Sequence, residues 1–507
     1  MLKLFSQPYG LGRRAWACML GSFLLFSFIY DARSANLIPV SCWFKAPLSI
    51  EAACYQLPVQ ENRKQPGKIL NLPVVRLHFK SANMPYKKDP VIYIPGGPGD
   101  GGWLDQARIG FWWDFIGDNK WAQERDIILY DPRGTGRTEP RMDCPELEAV
   151  APELLGLGRD YKKAVQLSDQ ATLDCYQRLI KEGFDPNQYS SATNAQDLHE
   201  LFIALNRPKW NIYGLSYGTR FALTYLRDYP DDIRSLILDS VLSPDVNFLE
   251  DTAWFVNRAM ETLAQGCANS KTCRQYGDLK EMYVKIIDQL NQKPMTFTVA
   301  HPHEDKDVQV VFTGDMFIEF IFINLYNRTD IEELPKKIKA IADGKSNFAK
   351  EAAEDIVRTA IQREDFGEAM SNSIDCIEEA PFNDPVKAKE NFKYYPLLAS
   401  LSDIIDTGAD CEAWAVVKGD ILEAHPVKSD VPTLLLTGHY DPVTPPPYAR
   451  KAAAGLGHSF LFEFPNVGHD VLSNEPCANK IAENFLNTPW VNPRDPCLAK
   501  LDNADFK

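Results

Sequence analysis

Short runs of β-branched and aliphatic residues, each closing on Gly, Asp or Pro, punctuate the first half of the chain at 73–79, 90–94, 126–130, 210–213 and 233–238. Buried strands have this form, because a strand covered on both faces needs no polar alternation. Between 193 and 205, Leu198, Leu201, Phe202 and Leu205 recur at helical spacing just before the run 210–213. Strand and helix in alternation predict an α/β architecture, a mainly parallel sheet flanked by helices.

After about residue 244 the pattern changes. Helical periodicity dominates at 252–264, 314–324 and 331–342, broken by a hairpin-like pair at 295–300 and 308–312. Strand character returns at 433–436 and 460–464. The sheet is therefore expected to be interrupted by an inserted, mainly helical cap. Residues 36–244 would form the first part of the core, 245–428 the cap and 429–507 the second part of the core. No internal repeat or Pro/Gly/Ser linker suggests two separate beads.

The first residues read differently. Lys3, Arg13 and Arg14 precede an apolar run at 15–30 and small residues at 32–35, the form of a secretory signal peptide over 1–35. The run is shorter than the roughly 18 to 20 apolar residues that cross a bilayer, so no stable membrane span is expected after cleavage. Of eleven cysteines, Cys18 would leave with the signal, and the even remainder points to disulfides in an oxidising compartment, periplasmic or secreted. Pairing sequence neighbours gives Cys42–Cys54, Cys144–Cys175, Cys267–Cys273, Cys376–Cys411 and Cys477–Cys497, although spacing alone leaves connectivity open. The cysteines are too scattered for a zinc site, and neither a metal nor another cofactor is expected. A net charge of -15 disfavours nucleic acid as a partner.

Gly214-Leu215-Ser216-Tyr217-Gly218 follows the strand 210–213 and precedes a helix-compatible run at 219–227, which is the setting of a nucleophile elbow. A serine hydroxyl needs a base, and the base of such a site comes after the acid in chain order. His469, just beyond the strand 460–464, meets that need; His458 lies before the strand and His439 beside the acid candidate. Asp441, at the exit of the strand 433–436, is the expected acid, with Asp239 as the rival one strand earlier. Oxyanion donors are expected from the Tyr217 N–H and from Gly96 or Gly97 in Pro95-Gly96-Gly97-Pro98-Gly99, a stretch lacking the Lys-Ser/Thr ending of a phosphate loop. Asp131-Pro132-Arg133-Gly134-Thr135-Gly136-Arg137 reads as a turn braced by an Asp–Arg pair, and Asn327-Arg328-Thr329 fits a glycan acceptor.

Together these marks resemble the prolyl aminopeptidase and tripeptidyl aminopeptidase branch of the α/β-hydrolases, from about residue 89 to 498. The resemblance is carried by Gly-Gly-Pro-Gly at 96–99, Asp-x-Arg-Gly-Thr-Gly at 131–136, the elbow, Asp441-Pro442-Val443-Thr444-Pro445 and Gly468-His469. The Cys267 to Cys273 segment, Cys376-Ile377-Glu378-Glu379-Ala380-Pro381-Phe382 and the stretch from Cys477 to Cys497 are similar to the secreted tripeptidyl type. Pro95 stands where many prolyl aminopeptidases carry histidine, a departure from strict proline specificity. The resemblance implies a peptide substrate with a free N-terminus and cap carboxylates that hold its ammonium group, for which Glu378 and Glu379 are the candidates. An esterase using the same triad is the nearest alternative, and a binding protein without catalysis the more distant one.

Overall fold

In chain order the strands are β1 (Ile38–Val40), β2 (Ile50–Gln60), β3 (Ile69–Phe79), β4 (Val91–Ile94), β5 (Ile127–Tyr130), β6 (Trp210–Leu215), β7 (Ile233–Asp239), β8 (Met295–Ala300), β9 (Asp307–Phe312), β10 (Thr433–Gly438) and β11 (Ser459–Phe464). They belong to a computed structural model that describes residues 36–81, 85–206, 208–361, 366–403 and 410–507; the expected signal peptide at 1–35 lies outside these residues. Among the described residues, nine strands form one sheet in the order β1-β2-β3-β5-β4-β6-β7-β10-β11. Pairing is antiparallel from β1 to β5 and parallel from β5 to β11.

Burial on both faces explains the near-continuous apolar runs. Ile212, Leu236, Leu238 and Leu435 pack with Leu198 and Leu201 of the helix Ser191–Leu205 and with Phe221 of the helix Tyr217–Asp228. On the other face Tyr213, Ile237, Leu434 and Leu436 pack with Trp112 and Phe115 of Gly110–Asp118 and with Ile481 and Phe485 of Pro476–Asn487. Ile94 pairs with Gly214, Gly214 with Leu238, and Gly438 with Phe464, so the C-terminal ends of β4, β6, β7, β10 and β11 finish along one edge. In a parallel sheet that edge gathers the loops that carry chemistry.

Between β7 and β10 the chain leaves the sheet for the helices Phe248–Asn269, Leu279–Gln292, Gly314–Asn324, Arg328–Ala342 and Ser346–Ile361 and the antiparallel pair β8–β9. Leu263, Ile286, Phe312, Ile321 and Ile338 form an apolar core for this insert. All five expected cysteine pairs lie at bonding distance. Among the described residues no helix is long and apolar enough to cross a membrane.

The sequence reading missed the hairpin partner β2 and the helices Pro145–Gly156 and Tyr161–Lys181, which Cys144–Cys175 ties together. Pro58 argues against a strand, yet it lies beyond the short stretch of β2 that β1 covers, where no ladder bond is required on that side. The Asp–Arg brace is also corrected. All five guanidinium N–H groups of Arg133 are taken by Asp197 and by the carbonyls of Gln60, Glu61 and Gln188, while the Asp131 carboxylate accepts the main-chain N–H groups of Gly102 and Arg137.

Candidate active site

The turn from β6 into the helix Tyr217–Asp228 leaves no room for side chains at Gly214 and Gly218, two residues either side of Ser216. A Cβ on Gly214 would lie 2.6 Å from the Gly218 carbonyl oxygen, and one on Gly218 would collide with the Ile94 carbonyl. Ser216 itself takes φ 58° and ψ -126°, a backbone state costly for a side-chain-bearing residue. It is held there because its N–H donates to the Asp239 carbonyl at 3.0 Å and its own carbonyl accepts Thr219 N–H at 2.8 Å. Gly96 and Gly97 line the same space as Ser216, next to Tyr217, so the expected oxyanion donors border Ser216.

Asp441 and His469 meet as the sequence suggests. Nδ1 of His469 stands 3.0 Å from Oδ2 of Asp441 and 3.2 Å from the Thr444 hydroxyl. A carboxylate facing Nδ1 keeps the proton there and leaves Nε2 as the basic nitrogen. Asp441 also accepts N–H from Val443 at 3.0 Å and Thr444 at 2.8 Å, and the Thr444 hydroxyl at 2.8 Å. Burial pushes the Asp441 carboxyl up, but the His469 ring and the Thr444 donors outweigh it and hold the group below its ordinary value. Burial pulls His469 down, but Asp441, with help from Asp470 and Asp239, holds it above its ordinary value.

The rival acid and the other histidines have other partners. The Asp239 carboxylate accepts N–H from Val471 and Leu472. His439 is exposed beside Glu463, and His458 lies against Trp490 with the rings tilted at 54°. Asn327, the expected glycan acceptor, lines the cavity beside His469.

The insert supplies contacts that the sequence reading did not foresee. Arg258 donates to the carbonyls of His439 and Asp441 at 2.9 and 3.2 Å. The Tyr326 carbonyl accepts the main-chain N–H of His469 at 3.0 Å, the Tyr326 ring lies 4.9 Å from the imidazole, and a Cβ on Gly468 would collide with the Leu325 carbonyl. Residues of the insert thus touch the loops that carry Asp441 and His469.

Two cavities open on Ser216. One, of 340 Å³, is lined by Tyr217, Leu242, Phe248, Ile374, Asp375 and Glu379, with Arg220 at its wall. The other, of 430 Å³, is lined by Tyr93, Asp100, Trp103, Tyr326, His469 and Asp470. Of the two glutamates implicated by resemblance, Glu379 reaches the first cavity, whereas Glu378 is fully buried behind it and binds the N–H and hydroxyl of Ser191. Arg220 joins both, with Nη1 on Glu379 and Nε 3.3 Å from Glu378, and also donates to the Glu423 carbonyl at 2.8 Å. Burial holds the Glu378, Glu379 and Glu423 carboxyls above their ordinary range despite the arginines. Arg220 gave a signal that could have been read: it lies one helical turn after Ser216, and an arginine on a helix that is otherwise buried needs a carboxylate partner.

A family model described as alpha/beta hydrolase fold matches residues 89–476. The serine protease Hip1 of Mycobacterium tuberculosis is 24% identical over 464 residues, covering 86% of this chain and 85% of that protein. The tripeptidyl aminopeptidase of Streptomyces lividans is 23% identical over 487 residues, covering 89% of this chain and 84% of its own length. A proline iminopeptidase of Xylella fastidiosa is 25% identical over 166 residues, 33% of this chain and 36% of that one.

Proposed function

The chain belongs to the alpha/beta hydrolase fold family, and from that premise we propose that it is an exported serine aminopeptidase releasing amino acids or short peptides, tripeptides included, from free peptide N-termini. The observation that carries this reading is a backbone-strained serine whose cavity holds a carboxylate-bound histidine on one side and a buried carboxylate cluster on the other.

In this mechanism His469 takes the proton of Ser216 as its oxygen attacks the scissile carbonyl. The N–H of Tyr217 and that of Gly96 or Gly97 stabilise the oxyanion. His469 then protonates the leaving amine, so the leaving peptide departs through the cavity that contains His469. The acyl part lies in the opposite cavity, and water deprotonated by the same base attacks it and frees it from Ser216, whose oxygen takes the proton back.

There the substrate ammonium group would meet Glu379, joined by Asp375, with Glu378 acting from behind through Arg220 and Ser191. Burial holds the Glu378 and Glu379 carboxyls above their ordinary range despite Arg220, and an ammonium group beside Glu379 would favour its ionised form. Residues 36–244 and 429–507 would be the catalytic core and 245–428 the specificity cap. Five cysteine pairs and the signal-like start support export.

The test is a short defined peptide offered with a free or an acetylated N-terminus, with products read by mass spectrometry. Stepwise loss from the free peptide alone is expected. Equal cleavage of both, or hydrolysis confined to short-chain esters, would move the assignment to a general acyl hydrolase.

A further inference from the structure

A buried carboxylate that has lost its role as catalytic acid needs another reason to be there. Asp239 is fully buried at the end of β7, directly between the loops of Ser216 and His469. Its main-chain carbonyl accepts the Ser216 N–H at 3.0 Å. Its carboxylate accepts Val471 N–H at 2.9 Å on one oxygen and Leu472 N–H at 2.8 Å on the other. The next residue completes the clamp. The Ser240 hydroxyl donates to Asp239 Oδ1 at 3.2 Å and accepts the Asp470 N–H at 2.9 Å.

Three non-glycine residues at positive φ converge on this point: Ser216 at 58°, Ser240 at 58° and Asp470 at 59°. Each is unfavourable alone and persists only where surrounding bonds impose it. Asp239 and Ser240 link the three, alongside bonds from Thr219 to Ser216, from Ser240 to Leu436 and from Ser473 to Asp470.

We propose that Asp239 is a positioning residue for the hydrolytic reaction, tying the nucleophile to the base: its carbonyl fixes Ser216 and its carboxylate fixes the turn that follows His469. The inference rests on the serine-hydrolase reading above but adds a residue outside the triad. The groups that face this carboxylate are Asp470 and His469 on the loop, Tyr213 on β6 and Tyr93 on β4. Burial, then Asp470, push the Asp239 carboxyl up to about 7, and the two N–H donors and His469 pull against that shift. Any charge it carries favours protonated His469.

The test is Asp239→Asn, which keeps the shape but places an amide donor against one of the two N–H groups. With Ser216→Ala as blank, kcat on a free-amine peptide amide should fall on the order of 10- to 100-fold while KM stays within about two-fold, as expected for misplaced reacting groups. The acid limb of the kcat/KM profile should also move slightly to lower pH, because the share of negative charge that Asp239 carries beside the imidazole at that pH is gone, a readout that lost packing alone would not move. A thermal melt verifies folding. If the Asn variant does not fold, Ser240→Ala removes only the bridging hydroxyl, and kcat should drop about three-fold or more at unchanged KM. Unchanged kcat and an unmoved acid limb in the folded variant would overturn the role of Asp239 alone. Activity retained by Ser216→Ala would overturn the serine reading together with it.

Discussion

The two sides of the cavity at Ser216 are held by different physics. On the sheet side, main-chain hydrogen bonds and the absence of side chains set the geometry: Gly214 and Gly218 allow the turn, and Asp239 and Thr219 fix the serine. On the insert side, charged side chains do so, with Arg220 between Glu378 and Glu379, and Arg258 on the carbonyls of His439 and Asp441. Backbone geometry tolerates little variation and leaves a local signature. Buried ion pairs join residues far apart in the chain, and they make the insert side the one where charge, pH and ligand matter most.

The largest expected effect lies on the sheet side. Asp441→Asn should lower kcat by about 10⁴-fold, since the imidazole loses the partner that sets its tautomer. With His469 as the proposed base, the acid limb of kcat/KM is expected above the ordinary imidazole range, and neutralising Asp441 should move the residual limb to lower pH. Activity little changed in this variant would leave the triad without its acid.

Next, Arg220→Met strands two buried glutamates, and urea unfolding should show a loss of about 3–5 kcal/mol. Adding Glu378→Gln and Glu379→Gln should recover part of it; no recovery would mean that Arg220 acts through packing. The same cluster gives a pH dependence. Because its carboxyls are held above their ordinary value of 4.5, their contribution to stability is present below that value and is lost as pH rises through the folded-state range. Denaturation midpoints across that range check the sign.

Glu379→Gln should raise KM for free-amine amides about ten-fold and leave a blocked ester unchanged, the size expected when one charge-assisted contact is lost. An equal loss on both substrates would remove the anchor from Glu379. The smallest effect is expected from Arg258→Met, a fall in kcat of about three-fold at constant KM, since it removes two bonds to carbonyls behind the acid. A change in KM alone would show that the insert acts on substrate rather than on the triad.

The same contrast explains what could be read in advance. The elbow was legible because a strand, a sharp turn and a helix lie within a few adjacent residues, and chain order then singled out His469 and Asp441, which the fold brings together, while leaving Asp239 as a rival until its carboxylate was seen on Val471 and Leu472. Glu378 and Glu379 were found through a family likeness, and only side-chain packing separates the one in the cavity from the one behind it. Asp375, Tyr326 and Arg258 left no local trace. Tyr326 and Arg258 act across the fold, and Arg258 sits 183 residues from its Asp441 contact. Pro58 shows the limit in the other direction, a correct local rule answered by the place of β2 in the sheet.

The most direct test of Ser216 as an aminopeptidase nucleophile is the ratio of kcat/KM for a chromogenic tripeptide amide with a free N-terminus to that for its acetylated twin, with Ser216→Ala as blank. A large ratio that vanishes in the blank and shrinks in Glu379→Gln is the expected result. A ratio near one, or activity that survives without the Ser216 hydroxyl, would contradict it.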